Sequence, residues 1–404
     1  MVDERDIHRT KGRLTSTLKH IEDSPEILEE NVKTIKGFND YLRALRSVNI
    51  DRRQFYIGRL SILAKWFDKP FMEATRDDIL KIQGMIEEGD YTEWTKHDYL
   101  LTLKKFFQWL YRDQLSHYHW KSTEYPDVIR DIHVSVGKDA NKLPKNLPGK
   151  DKVKKMVDNC NNSRNRAIFM TLFDGGFRVG EFLNIKVGDL ERKTRGISLI
   201  VHGKTGSRHV LMPMAEPYIN RWLEDHPNPQ NNSYLWVNIG NYNRKKPLEY
   251  RALSKILKSA RDKAGLSCEI NPHAFRKASA SFYAQHLNEI QMCDRYGWVY
   301  GSDMPRIYIR SSGKETDNAV LRAHGLAEEA ETDEGLKPRV CNRCSTANPY
   351  DSKWCRNCGM VLDKSQVTEA EDEAESRLME MIQSNPEKWG SVLLDAMEKS
   401  KMRS

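Results

Sequence analysis

The chain has 404 residues, 39% of them hydrophobic and 30% charged, and carries a formal net charge of +8. That length allows two or three domains, and the positive balance favours a polyanionic partner. No run approaches the roughly 18–20 apolar residues of a membrane span. The opening Met1-Val-Asp-Glu-Arg-Asp6 lacks an apolar signal core, so neither a membrane protein nor a secreted one is expected, and the location is expected to be cytoplasmic.

Residues 1–24 are polar and read as a flexible N-terminus. Residues 25–115 read as a four-helix unit. Val32, Ile35, Phe38, Tyr41, Leu42 and Leu45 recur at helical spacing, as do Tyr56, Leu60, Leu63, Trp66 and Phe67. Thr75 is placed to cap a third helix, with Asp77 and Asp78 in its first turn and Ile79, Ile82 and Ile86 inward. Thr95 is expected to cap a fourth, carrying Tyr99, Leu103, Phe106, Phe107 and Leu110, with Lys104 and Lys105 outward. The scattered basic residues are ordinary solvated surface taken singly and a sequence-tolerant grip on phosphates taken together. Residues 116–150 end in a stretch rich in Lys, Pro, Asn and Gly and read as a basic linker, suited to a clamp around a duplex.

A second domain is expected over 151–325. Ala167–Phe173 is an apolar helical run that breaks at Gly175-Gly176, with a new helix near Val179. Leu199–Val201 and Val210–Met212 flank a Gly-rich turn and read as a hairpin. Tyr250–Ala264 and a helix opened by Pro272 follow. The fold class is therefore mainly α with a small β-sheet. Residues 364–404 form a charged tail with helices near Leu378–Ile382 and Trp389–Met397.

Within the second domain, particular residue types converge on one chemistry. A scissile phosphate concentrates negative charge in its transition state. Two arginines donating bidentate hydrogen bonds suit it better than lysines, because the guanidinium stays charged and planar. Arg178, in Gly175-Gly-Phe-Arg-Val-Gly-Glu181, and Arg276, in His273-Ala-Phe-Arg276, are the candidates. His273 and Arg276, three apart on a helix, share a face. Tyr308 is the candidate nucleophile, able to form a phosphotyrosine. Its phenol, with a free pKa near 10, requires activation by the cationic site or His273. Lys204, at the hairpin tip, is placed to protonate the departing 5′-oxygen. Glu181 is placed to orient one of these groups, and Trp298 to donate its indole N–H to the phosphate and pack against the nucleophile's segment. No metal is required for this chemistry. Each residue alone has a commoner structural reading; their order and spacing together carry the functional one.

These motifs resemble those of the tyrosine recombinases, the phage-integrase family that includes the Xer-type resolvases. Gly176-Phe-Arg-Val-Gly-Glu181 is similar to the family's first arginine motif. Lys204 matches the hairpin lysine, and His273-x-x-Arg276 the second box. Tyr308 follows Gly297-Trp298 by about ten residues, as the family's tyrosine follows Gly-His or Gly-Trp. Lys277 stands where histidine is common, and Trp298 replaces the commoner histidine. The resemblance spans roughly 25–325. It implies a SAM-like four-helix core-binding domain, a mixed α/β catalytic domain, and catalytic roles for Arg178, Lys204, His273, Arg276, Trp298 and Tyr308, supported by Glu181. It also implies cutting and rejoining of double-stranded DNA through a 3′-phosphotyrosyl intermediate, with no catalytic cofactor, by a homotetramer on two DNA sites. Docking of a C-terminal helix on a neighbouring subunit makes 316–323 the candidate segment. Type IB topoisomerase-like relaxation and a catalytically idle DNA-binding regulator are the alternatives.

The chain also holds seven cysteines. Cys341, Cys344, Cys355 and Cys358 follow C-x2-C-x10-C-x2-C, which suits one tetrahedral, closed, structural zinc. Residues 338–363 are thus expected to form a zinc ribbon, similar to that of archaeal-type integrases. Cys160, Cys268 and Cys293 stand apart, and the pattern fits a reducing cytoplasm rather than a disulfide framework.

Overall fold

The computed structural model describes residues 5–136, 146–203, 206–240, 244–311 and 335–363, with isolated positions 324, 376, 377, 379, 380, 383 and 384. The chain divides into two compact units, 1–144 and 145–404.

The first unit is built from α1 (Thr10–Glu22), α2 (Glu29–Ala44), α3 (Ile50–Leu63), α4 (Arg76–Glu88) and α5 (Glu93–Leu110). Ile35, Phe38 and Leu42 of α2, Tyr56 and Leu60 of α3, Ile79, Ile82 and Ile86 of α4, and Leu103, Phe106 and Phe107 of α5 close one apolar core. The expected Thr75 cap is present. Its hydroxyl accepts from the Asp78 amide (3.3 Å), while Asp78 accepts from the Thr75 amide (2.8 Å), a reciprocal arrangement that satisfies two orphan donors. Those bonds, with Lys69, pull the Asp78 carboxyl down to about 2.

Four expectations for this unit are corrected. Residues 10–22 are helical, because Leu14, Leu18 and Ile21 form an apolar stripe thin enough to be lost among charges, and Leu14 and Ile21 are buried. Thr92, not Thr95, caps α5: the Thr95 amide donates to the Thr92 hydroxyl. The linker reading fails over its first part, since Ile129 and Ile132 lie fully in the core and Gln108 ties down the carbonyls of Ser122 and Glu124. Lys104 and Lys105 therefore do not point freely outward. Lys104 donates to the Ile132 carbonyl (2.8 Å) and Lys105 to that of Trp120 (3.2 Å), and burial lowers the pKa of both. Residues 137–145 of the expected linker lie outside the described residues.

The second unit starts with α6 (Lys150–Asp158) and α7 (Ser163–Gly175), followed by the short α8 (Val179–Leu183). A three-stranded antiparallel sheet of order β1 (Leu190–Arg192), β2 (Ile197–Gly203), β3 (Gly206–Met212) comes next. The expected hairpin is present, with Leu199 opposite Val210 and Gly203 opposite Gly206. Strand β1 adds to the expected pair; its three residues are too few to show alternation. Then follow α9 (Glu216–Asp225), α10 (Tyr250–Lys263), α11 (Pro272–Tyr283), α12 (Glu289–Tyr296) and α13 (Met304–Ser311). Helix α7 is buried from Ala167 to Gly175 and forms the centre of this unit. Its last turn is anchored by Asp174, whose fully buried carboxylate accepts from the Ala215 amide and the Tyr283 hydroxyl. Finally, β4 (Arg339–Val340) and β5 (Ala347–Asn348) pair in a small hairpin. Among the described residues, no helix is long and apolar enough to cross a membrane. The helix expected over 316–323 and the tail helix near Trp389 lie outside the described residues, as do Leu378 and Ile382.

Candidate active site

Two helices end in the same way, and the two candidate arginines latch those ends together. Helix α7 stops at Gly176 and α12 at Gly297, both at φ 59°, the left-handed conformation that glycine adopts without penalty. A side chain at Gly176 is also barred by space, because a Cβ would lie 2.5 Å from the Tyr296 ring and 2.8 Å from the Ser279 hydroxyl. Arg276, on α11, donates to the carbonyls of Gly176 (2.8 Å) and Tyr296. Arg178, leading into α8, donates to the Gly297 carbonyl (3.0 Å) and to Glu181 (2.9 Å). Segments about a hundred residues apart in sequence are thereby fixed around two guanidinium groups. Arg276 is 5% exposed, and burial followed by the neighbouring Arg178 pulls its pKa down to about 10. Arg178 keeps a side-chain exposure of 38%, so one guanidinium lies deep while the other reaches the surface.

Glu181 joins this pair to a residue absent from the sequence-based candidates. Its carboxylate accepts a bidentate bond from Arg208 on β3 (2.8 and 3.0 Å) and also the Arg178 backbone amide (2.8 Å). Burial favours its neutral form, but Arg208 and then Arg178 outweigh that and hold the carboxyl below its ordinary value. Arg208 Nε donates to the Arg295 carbonyl (2.9 Å), close before Trp298. A signal for Arg208 is present in the sequence. It shares the inward face of β3 with the buried Val210 and Met212, and an arginine on an apolar strand face needs a carboxylate partner.

An aromatic stack lies over the deeper guanidinium, that of Arg276. Trp298 lies between Tyr296 (centroids 4.9 Å, 25°) and Tyr308 (5.4 Å, 8°). The Arg276 guanidinium carbon is 5.3 Å from the Tyr296 ring centre and 5.8 Å from that of Trp298. Tyr308, on α13, is 4% exposed. Burial pushes its phenol up to about 12, with Arg276 opposing. His273 sits exposed in the first turn of α11, whose start is capped by Asn271 accepting from the Ala274 amide (2.8 Å). Partial desolvation, then the charges of Lys277, Arg276 and Arg178, lower its pKa. Lys204 lies outside the described residues, although its flanking strands pair up to Gly203 and Gly206.

Away from this site, the Sγ atoms of Cys341, Cys344, Cys355 and Cys358 all lie within 4.8 Å of one another, an arrangement able to hold a metal ion.

Residues 149–315 match the model of the Phage integrase family. Tyrosine recombinase XerA of Pyrococcus horikoshii is 25% identical over 264 residues, covering 65% of this chain and 84% of that protein. Tyrosine recombinase XerC of Staphylococcus carnosus is 31% identical over 179 residues, covering 43% and 58%. Among solved structures, the XerH site-specific recombinase bound to palindromic difH substrate, a post-cleavage complex, superposes with a TM-score of 0.54 at 17% identity, covering 78% of this chain and 96% of that one. A lambda integrase tetramer bound to a Holliday junction gives 0.52 at 17%, covering 70% and 78%. The family match covers the segment that carries both arginines and Tyr308, and the structural likeness extends over the same helical architecture. Residues 149–315 thus carry a domain of the phage integrase family, and the chain is similar to Xer-type tyrosine recombinases over a longer stretch.

Proposed function

We propose that this chain is a site-specific DNA recombinase in which Arg178, Lys204, His273, Arg276, Trp298 and Tyr308 carry the chemistry. The observation that supports it most is the latching of Arg276 and the Arg178–Glu181–Arg208 chain around the turns that precede the Trp298–Tyr308 stack. The Tyr308 oxygen attacks phosphorus, a 3′-phosphotyrosyl bond forms and the bond to the 5′-oxygen breaks. His273, neutral near pH 7, takes the phenolic proton, and Lys204 gives one to the leaving oxygen. Arg178 and Arg276 bear the charge that develops on the non-bridging oxygens. Attack by a 5′-hydroxyl on the phosphotyrosine reverses the step, so the phosphodiester bond is exchanged with no nucleotide consumed. Assembly as a homotetramer on two duplexes follows as part of the proposal, in line with the lambda integrase tetramer seen on a Holliday junction. The cysteine usage fits a reducing cytoplasm.

The four clustered thiolates would hold one structural zinc. In a tetrahedral site with Zn–S near 2.3 Å, sulfur atoms sit about 3.8 Å apart. The pairs Cys341–Cys358 and Cys344–Cys355 are each 3.5 Å apart, and four protein ligands leave no open position for chemistry.

Strand exchange tests the function. Plasmids bearing two copies of a site recovered by binding are incubated with the chain without nucleotide or added magnesium, and the products are sequenced. Recombinant junctions are expected. Relaxed plasmid without recombinants would favour topoisomerase-type activity, and binding without either product the idle regulator.

Two further outcomes follow from the geometry. The Arg208→Ala variant is expected to keep DNA affinity while single-turnover cleavage falls roughly 10–100-fold, the size of effect seen when an outer partner that orients a metal ligand is removed. Arg208→Lys, which preserves a charge next to Glu181, should recover part of that rate; equal losses in affinity and rate would contradict a positioning role. Because the His273 pKa is lowered, its protonated form accumulates only below the ordinary 6.5. The acid limb of the cleavage rate is expected below that pH and should vanish in His273→Asn. A limb above 6.5 would assign the titration to another group.

A further inference from the structure

The four-cysteine module contacts the catalytic unit through the loop that joins its two cysteine pairs. Between Cys344 and Cys355, that loop carries Tyr350 and Asp351 onto the face made by α6, α7 and α9. The Tyr350 hydroxyl donates to Asp158 at the end of α6, its ring lies 6.4 Å from that of Tyr218 on α9, and the Lys154 ammonium stands 4.8 Å from its centre. Asp351 pairs with Arg166 in the first turn of α7. From the second cysteine pair, Arg356 reaches Glu224 of α9 (3.2 Å). Tyr350 is 7% exposed, so this is a packed contact rather than a grazing one.

The shape of the docking loop depends on the cysteines. Fully buried Asn348 donates to the Thr346 carbonyl (2.8 Å) and towards the Cys355 sulfur (3.7 Å), and it accepts from the Arg356 amide (2.9 Å). One side chain thus ties the turn that follows the first cysteine pair to the second pair, immediately before Pro349-Tyr350-Asp351. The module has little core of its own. Among its described residues the buried apolar side chains besides two cysteines are Leu336 and Tyr350, while Val340 and Trp354 are over half exposed. A segment this small needs a metal or disulfides to hold its fold.

We propose that the four-cysteine module is a metal-dependent brace of the catalytic unit, its partner surface being the α6–α7–α9 face of the same chain. Helix α7 transmits the brace. Arg166 at its start holds Asp351, and roughly 14 Å further along its far end leads through Gly176 to Arg178. The α9 end of the same platform is tied to α7 by Asp174 and the Ala215 amide (2.9 Å). This inference rests on the four-thiolate metal reading above, and its test separates the two.

Amide hydrogen exchange of the full chain is measured alongside its zinc content by atomic emission, with the helices of the first unit as internal reference. Stripping zinc with a high-affinity chelator is expected to speed exchange in α6, α7 and α9 about tenfold, a loss of local protection within the ordinary range for sub-global opening. The Tyr350→Ala/Asp351→Asn double variant is expected to do the same while retaining one zinc per chain. Unchanged exchange in that variant overturns the brace even if zinc is present. Absence of zinc from the purified wild type overturns the metal reading, and with it the metal dependence of the brace.

Discussion

Replacing Tyr308 by phenylalanine is expected to abolish covalent attachment to DNA while leaving binding intact. The change removes one oxygen from a ring that is stacked on Trp298 and nearly buried, so its packing volume is kept and no cavity opens. Phenylalanine offers no nucleophile, and the loss should be at least about 10⁴-fold in adduct formation, as for removal of other covalent nucleophiles. The check is a nicked duplex whose cleaved end diffuses away. Wild type should accumulate a slow-migrating protein–DNA band on a denaturing gel, and Tyr308→Phe none, at equal occupancy measured by mobility shift. A band of normal intensity from the variant would remove Tyr308 from its role.

The second large effect is expected at Arg276. In the proposed mechanism, truncation to alanine removes a preorganised donor from the transition state, and the expected loss is roughly 100–1000-fold in rate. It also leaves the Gly176 and Tyr296 carbonyls without the guanidinium that joins them, at roughly 1–3 kcal/mol for each buried acceptor left unsatisfied. Arg276→Ala should therefore lose both cleavage and thermal stability. Arg276→Lys separates the two. Its ammonium is a point donor that cannot reach both carbonyls and a phosphate in one plane, so cleavage should still fall about 100-fold while much of the Tm is retained. A lysine variant with near wild-type cleavage would show that Arg276 holds the fold and nothing more.

What is legible in the sequence divides along physical lines. The Thr75 cap, the β2–β3 hairpin and the apolar run of α7 are local patterns, and periodicity or capping chemistry shows them directly. The arginine latches are not local. Arg276 and Arg178 bond to backbone carbonyls 100 and 119 residues away, and a carbonyl acceptor leaves no mark in a sequence. Arg208 is legible in principle, as a charge on the inward face of a strand, but the turn of the same hairpin offers Lys204 as the more conspicuous cation. Helix α1 and the folded 122–132 segment escape sequence reading for the opposite reason. Their few apolar residues, Leu14, Ile21, Ile129 and Ile132, carry weak periodicity, and only a large existing core makes burying them worthwhile. The cysteine spacing is legible, yet nothing in it foretells that the loop between the pairs seats on α6, α7 and α9.

The atom that becomes joined to DNA can be identified directly. The covalent complex trapped on a nicked duplex would be digested with trypsin and nuclease and its nucleotide-bearing peptide sequenced by mass spectrometry. The expected peptide is Ile307-Tyr308-Ile309-Arg310, modified on Tyr308 through a 3′-phosphate. A nucleotide carried by another residue, such as the exposed Tyr300, or attachment through a 5′-phosphate, would contradict it.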